Sequence, residues 1–117
     1  AYSFHDEYIQ EIIRRDGMIG IPIYPYMLSN YANLKEAVKA GSLRDVVRTI
    51  RYIAKISGSA KNICIGSDFG AYIPPLNDID CLCQIEILRK LLLDEFSNES
   101  IVEDILAKNV IEFIKNN

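Results

Sequence analysis

Apolar residues recur at helical spacing near the start of the chain. Between residues 4 and 13 they lie three or four positions apart, so they fall on one face of a helix. Ser3, with Asp6 three residues later, predicts the N-terminal cap of this helix. Gly17 predicts its end, because glycine readily adopts the backbone conformations that stop a helix. The pattern therefore predicts a first amphipathic helix that ends before Gly17.

The same spacing predicts three further amphipathic helices. Ser42 and Asp45 repeat the capping arrangement ahead of a helix over residues 43–56. Isoleucine, leucine and valine at helical intervals predict two more, over residues 85–92 and 101–113. Each of these helices is expected to pack its apolar face against a core.

Two short segments have the continuous apolar character of buried parallel strands. The first covers residues 18–24, and its regular part is expected to end or bulge near Pro22, which has no N–H for a sheet ladder. The second covers residues 62–67. We expect the two to lie side by side in parallel, joined by a right-handed crossover through the helix at 43–56. The chain before that helix is expected to be irregular or to carry a short helix near residues 34–40.

The order of these elements is typical of parallel α/β architecture, in which helices alternate with apolar strands. Two strands would leave both edges of a sheet open, and sheets of this class usually hold more strands. A chain of 117 residues is at most one domain. We therefore interpret residues 1–117 as a segment of a single, larger α/β domain.

Composition and charge narrow the range of partners. The formal net charge is −3, whereas nucleic-acid binding needs a basic face. No apolar run approaches the roughly 20 residues that cross a bilayer. The first residues also lack the basic and apolar regions of a signal peptide. We expect no nucleic-acid partner, no membrane segment and a cytoplasmic location.

The chain has three cysteines, Cys64, Cys81 and Cys83. Cys81 and Cys83 are too close in sequence to close a useful loop, and nothing nearby supplies a C-x-x-C motif. The pattern favours free, mostly buried thiols in a reducing compartment. The one histidine, His5, is far from all three in sequence, so nothing indicates a catalytic cysteine with its base.

Residues 63–70 hold the strongest candidate for chemistry. An apolar strand delivers Asp68 at its C-terminal end, where parallel α/β folds build their sites. A carboxylate there can serve as general base, metal ligand or anchor for a substrate ammonium. It can equally cap a turn through its own backbone, and the local pattern leaves both interpretations open. The Asp-Phe-Gly triplet also occurs in protein kinases, but the kinase His-Arg-Asp and Ala-Pro-Glu motifs are missing, and so is a phosphate loop.

Four stretches of the chain resemble the renal (membrane) dipeptidase family in order and spacing. The run IGSDF at residues 65–69 is similar to the G-S-D-F-D-G signature on the family's last barrel strand. Residues 3–24, SFHDEYIQEIIRRDGMIGIPIY, resemble the helix and seventh strand. Residues 48–67, RTIRYIAKISGSAKNICIGS, resemble the helix and strand that follow, and residues 96–114 resemble the closing helix. The resemblance extends over nearly the whole chain.

This resemblance implies the C-terminal part of a (β/α)8 TIM barrel of the metal-dependent hydrolase, or amidohydrolase, type. The implied activity is zinc-dependent cleavage of dipeptides by a metal-bound hydroxide. Two zinc ions are implied, with histidine, aspartate and glutamate ligands on earlier strands, upstream of residue 1. His5 is not at a ligand position, so we expect no metal ligand in this chain. The segment alone is expected to be inactive.

The resemblance also implies a role for one residue at a strand end. Among the family's reacting residues, only the last-strand aspartate has a counterpart here, Asp68. Its implied role is to accept the proton of the metal-bridging hydroxide and to contact the free amine of the substrate. Tyr24 ends the other strand and either lines the mouth of the substrate pocket or packs with an exposed hydroxyl. Tyr26 is interpreted as a packing residue.

The chain departs from the family pattern at two places. Gly70 stands where a second aspartate usually follows the phenylalanine, and residues 49–52 read TIRY where a His-x-Asp-His pattern is common. Two alternatives to a hydrolase therefore stay open, a catalytically inactive barrel relative and a stand-alone α/β interaction module. The expected partners are a dipeptide substrate and the rest of the barrel, and a homodimer is left open.

Overall fold

A computed structural model describes residues 5–24, 27, 32–70 and 74–116 of this α/β chain. The predicted helices and strands are confirmed, including the short helix near residue 34 and the end of the first strand at Pro22. A 3-10 turn precedes the fourth helix, and a π-helical turn (Asp104–Lys108) joins the last two. In chain order the elements are α1 (Asp6–Arg14), β1 (Ile19–Pro22), α2 (Leu34–Ala40), α3 (Leu43–Ser57), β2 (Ile63–Gly66), α4 (Ile85–Phe96), α5 (Glu99–Glu103) and α6 (Asn109–Asn116).

The two strands form a parallel pair, as predicted. Ile19 is opposite Ile63 at one end and Pro22 is opposite Gly66 at the other. The Ile19 N–H donates to the carbonyl of Asn62 at 2.8 Å. The chain between the strands passes through α2 and α3, and the described residues contribute no third strand to this sheet.

The start of α1 differs from the prediction. The helix begins at Asp6, and His5 occupies the N-cap position without a side-chain hydrogen bond to the helix. The predicted cap residue, Ser3, lies outside the described residues. The predicted stop is present, because the Gly17 N–H closes the last turn on the Ile12 carbonyl at 2.8 Å. A Cβ at Gly17 would lie 2.8 Å from Ile12 Cγ2, so glycine is required at this close approach.

The capping box predicted at the start of α3 is confirmed. The Ser42 hydroxyl accepts a hydrogen bond from the Arg44 N–H at 3.2 Å. In return, Asp45 Oδ2 accepts one from the Ser42 N–H at 3.2 Å. The helix ends at Gly58, whose φ of +72° is the left-handed conformation typical of a C-terminal glycine. Local sequence therefore supplies a cap at each end of this helix.

The core lies around α3. This helix packs against α1, against α4 and against both strands, and Leu43, Val46 and Ile50 on its apolar face are fully buried. The burial of aliphatic side chains of this size is the main stabilising contribution to such a core. No helix in the described part of the chain is long and apolar enough to cross a membrane. The buried cluster consists of Ile9, Ile19, Ile21, Ile23, Leu43, Val46, Val47, Ile50, Ile53, Ile63, Leu76, Ile79, Leu88, Leu92, Val102 and Ile105.

The π-helical turn leads directly into Asn109, the first residue of α6. A π turn holds an extra residue and so rotates the residues that follow by about 100° relative to an uninterrupted α-helix. Asn109 is buried, and its side-chain amide donates to the carbonyls of Ala60 and Ile63, each at 2.8 Å. The C-terminal helix is thereby joined to the beginning of β2.

Candidate functional site

The candidate site is at the C-terminal ends of the two strands. Pro22 and Gly66 are paired at these ends. Tyr24 follows Pro22 by two residues, and Asp68 follows Gly66 by two residues. The two residues therefore occupy equivalent positions beyond the ends of neighbouring strands. Tyr24 is partly buried and Asp68 is exposed. Tyr26, the other tyrosine considered from sequence, lies outside the described residues.

Asp68 has a left-handed backbone conformation, with φ of +55°. Aspartate and asparagine tolerate this region better than other residues with a Cβ, and such conformations are often found at functional sites. Gly70, two residues later, also has a positive φ, of +88°. Between them, Phe69 packs against the core cluster. The chain therefore turns sharply after β2, with an apolar anchor at Phe69 and the carboxylate directed to solvent.

The segment that follows this turn is tied to the start of α3. Both carboxylate oxygens of Asp78 accept the Leu43 N–H, at 2.9 and 3.0 Å. The Asn77 N–H donates to the Gly41 carbonyl at 3.2 Å, and its side-chain amide donates to the Lys39 carbonyl at 2.5 Å. A carboxylate at a helix N-terminus also interacts favourably with the helix dipole. Asn77 and Asp78 are thus tied to the end of α2 and the start of α3.

Asn77 and Asp78 were not among the residues predicted from sequence. They follow Pro74 and Pro75, so the local pattern indicates a turn and nothing more. Their hydrogen-bond partners lie 35 to 38 residues earlier in the chain. A capping role for Asp78 depends on which helix end it meets, and a single sequence carries no signal for that contact.

The described residues do not by themselves provide the ligands for a pair of zinc ions. Over residues 5–24, 27, 32–70 and 74–116, no three histidine, cysteine, aspartate or glutamate side chains lie close enough to share a metal ion. His5 caps α1 at the surface, with its ring 5.9 Å from that of Tyr8. Asp68 is a single carboxylate, whereas catalytic zinc sites use about three protein ligands for each ion.

The cysteines differ in part from the prediction. Cys64 is free and buried in β2, as expected, and burial raises the pKa of its thiol. Cys81 and Cys83, however, form a disulfide across a Cα–Cα distance of 5.3 Å, and Cys83 is exposed. The prediction of free, mostly buried thiols was wrong for this pair, because two cysteines separated by one residue can still meet at the turn before α4. Cys81 and Cys83 therefore do not support the prediction of a reducing compartment.

The chain matches a known protein family. The model of the membrane dipeptidase family (Peptidase family M19) matches residues 2–117. The match therefore includes both strands, all the helices and the turn that carries Asp68. A search of individual curated proteins gives no match to this chain.

Proposed function

This chain belongs to the membrane dipeptidase family, and on that basis we propose that it acts in the hydrolysis of dipeptides. The family is one of metallopeptidases, so its members are hydrolases of peptide bonds. For this chain the proposed substrate is a dipeptide with a free amino group. The proposal rests on family membership together with the position of Asp68 at the C-terminal end of a parallel strand.

We propose further that residues 1–117 supply the last two strands and the closing helices of a (β/α)8 barrel. In a parallel pair, successive residues direct their backbone groups to alternate sides. Because Ile19 bonds towards β2, Gly20 presents its N–H and C=O to the opposite edge of β1. By the same alternation the backbone N–H and C=O of Ile65 point away from β1. These two edges, which pair with no described strand, are where the neighbouring strands of a barrel would add.

The observation that carries the site proposal is the turn at Asp68. Active sites of (β/α)8 barrels are built at the C-terminal ends of the strands. In the proposed site, the Asp68 carboxylate accepts a proton from the attacking water and forms an ion pair with the substrate ammonium. The left-handed turn and the packing of the partly buried Phe69 against the core hold the carboxylate in place before substrate binds. Tyr24, on the neighbouring strand end, is proposed to line the entrance for the substrate.

Two zinc ions are proposed as cofactors, because the family is known for zinc. A metal pair of this kind would supply a hydroxide at neutral pH and polarise the scissile carbonyl. The described residues assemble no such site, so its ligands are proposed to come from the other strands of the barrel.

The test is dipeptide hydrolysis by the complete protein that carries this chain, with zinc present. Asp68→Asn keeps the size of the side chain and tolerates the left-handed backbone, but it removes the base. We expect kcat/KM to fall about 10²–10⁴-fold, the usual contribution of general acid–base catalysis. Asp80→Asn is the matched control, because Asp80 is an exposed aspartate further along the chain. Equal activities of the two variants would contradict the role of Asp68, and an inactive parent protein would favour a non-catalytic relative.

A further inference from the structure

A groove of about 280 Å³ lies between α3 and α4, and all the residues that line it belong to these two helices. The α3 wall carries three arginines, Arg44, Arg48 and Arg51, which lie on one helical face because they are four and three residues apart. The α4 wall carries Asp94 and Glu95. The groove therefore presents positive charge on one side and negative charge on the other.

Three of these charges, those of Arg48, Arg51 and Glu95, already take part in ion pairs within the chain. Arg48 forms an ion pair with Asp45 at 3.0 Å, and Arg51 forms one with Glu95 at 3.2 Å. The remaining cation and anion of the lining, Arg44 and Asp94, take part in no ion pair with any described residue, and both are exposed.

The groove also has an apolar part. Val47 of α3 is buried and Leu91 of α4 is partly buried, and both line it. Its volume is slightly below the range of about 300–1,000 Å³ that accommodates drug-sized ligands. The lining therefore suits a small molecule that has an apolar group and both signs of charge.

We propose that this groove binds a free α-amino acid with an apolar side chain, in its zwitterionic form. The ligand carboxylate would meet the Arg44 guanidinium, whose planar donors match a carboxylate in bidentate fashion. The ligand ammonium would meet the Asp94 carboxylate, and the side chain would lie against Val47 and Leu91. A polyanion fits less well, since the carboxylates of the α4 wall would repel it. This binding site is separate from the turn at Asp68 and does not depend on the proposed hydrolase function.

L-leucine is the probe, titrated into the complete protein that carries this chain and followed by backbone amide shifts in NMR spectra. We expect saturable shifts in α3 and α4 with a dissociation constant in the millimolar range, because both ion pairs are exposed to solvent. Leucinamide lacks the carboxylate and N-acetylleucine lacks the ammonium. Each is expected to bind about fivefold more weakly than leucine, as expected for the loss of one exposed ion pair.

Variants on the two walls provide a second measurement. Arg44→Met and Asp94→Asn are each expected to weaken leucine binding about fivefold. Arg14→Met on α1 and Glu112→Gln on α6 are the matched controls, because both residues are exposed and lie outside the groove. Their dissociation constants should equal that of the parent chain.

Three results would overturn the proposal. They are an absence of saturable shifts, equal binding of leucine and its two analogues, and a dimer seen by sedimentation that Arg44→Met abolishes while leucine has no effect. The last result would assign the groove to a second copy of the chain, since its two walls carry complementary charges. The leucine-binding experiment and the hydrolysis assay on Asp68→Asn test separate proposals, so the result of one does not affect the result of the other.

Discussion

The side-chain amide of Asn109 lies 2.8 Å from the main-chain carbonyl of Ile63, 46 residues earlier in the chain. The same nitrogen donates to the Ala60 carbonyl, and Asn109 is only 6% exposed. A buried amide that satisfies two backbone carbonyls joins the C-terminal helix to β2, the strand that leads to Asp68. Buried polar groups of this kind are costly to leave unpaired, so the contact predicts a measurable effect on stability.

Asn109→Leu keeps the approximate size of the side chain and removes both donors. We expect the free energy of unfolding to fall by about 2–3 kcal/mol, because the Ile63 carbonyl loses its donor and the Ala60 carbonyl loses one of two. Urea denaturation measures the change. Asn116→Leu, at an exposed position of the same helix, is expected to change stability by less than about 0.5 kcal/mol. Equal effects of the two substitutions would contradict a structural role for the Asn109 amide.

Asp78→Ala removes the carboxylate that caps α3 from a distant loop. The expected cost is about 1–2 kcal/mol, the sum of a lost cap and a lost interaction with the helix dipole. Asp78→Asn keeps one acceptor oxygen for the Leu43 N–H and is expected to cost less than the alanine substitution. Thermal unfolding of both variants, with Asp80→Ala as the exposed control, checks this order. A cost for Asp80→Ala as large as that for Asp78→Ala would rule out the capping role.

The left-handed backbone of Asp68 predicts a distinct order of stabilities for substitutions at this position. Asp68→Gly and Asp68→Asn should leave the free energy of unfolding within about 0.5 kcal/mol of the parent value, since both residues accept this conformation. Asp68→Val is expected to cost about 1–2 kcal/mol, because a β-branched side chain is disfavoured there. Chemical denaturation measures the series. A valine variant as stable as the glycine variant would show that residue 68 does not require a left-handed backbone.

Cys64 is expected to resist alkylation in the folded chain. Burial raises the pKa of its thiol, so both the thiolate fraction and access to reagent are reduced. Iodoacetamide should label Cys64 only after unfolding in urea, while Cys81 and Cys83 should require a reductant before they are labelled. Mass spectrometry of labelled peptides reads out all three sites. Rapid labelling of Cys64 in the native chain would contradict its burial.

The raised pKa of Cys64 also predicts a pH dependence of stability. The folded state holds the thiol proton more tightly than the unfolded state does, so the contribution is present below the ordinary thiol pKa. It is lost as the pH rises through the higher pKa of the folded state. The stability difference between the parent chain and Cys64→Ala should therefore shrink in alkaline solution. A difference that stays constant there would show that the two states hold the proton equally.

Local sequence determined the elements of this chain and the ends of several of them. The apolar face of α3 predicts a buried helix, and Ser42 with Asp45 predicts its capping box, because both depend on residues within a few positions of one another. The continuous apolar strands predict a parallel pair, and the strand-end position of Asp68 follows from that pairing. The resemblance to the membrane dipeptidase family could likewise be recognised in the sequence, and the family match over residues 2–117 confirms it.

Only the tertiary structure decided which distant groups meet. The cap of α3 by Asp78, the insertion of Asn109 beside Ile63 and the groove between α3 and α4 all join residues more than 30 positions apart. Such contacts depend on how whole elements pack. Aspartate and asparagine are also common at exposed positions, so the residue type alone does not predict the contact. The left-handed conformation of Asp68 belongs to this group as well, since the packing of the partly buried Phe69 against the core helps to hold the turn. The periodicity of apolar residues reflects contacts between residues that are close in sequence. Hydrogen bonds between elements form only where the packing of the whole core brings their donors and acceptors together.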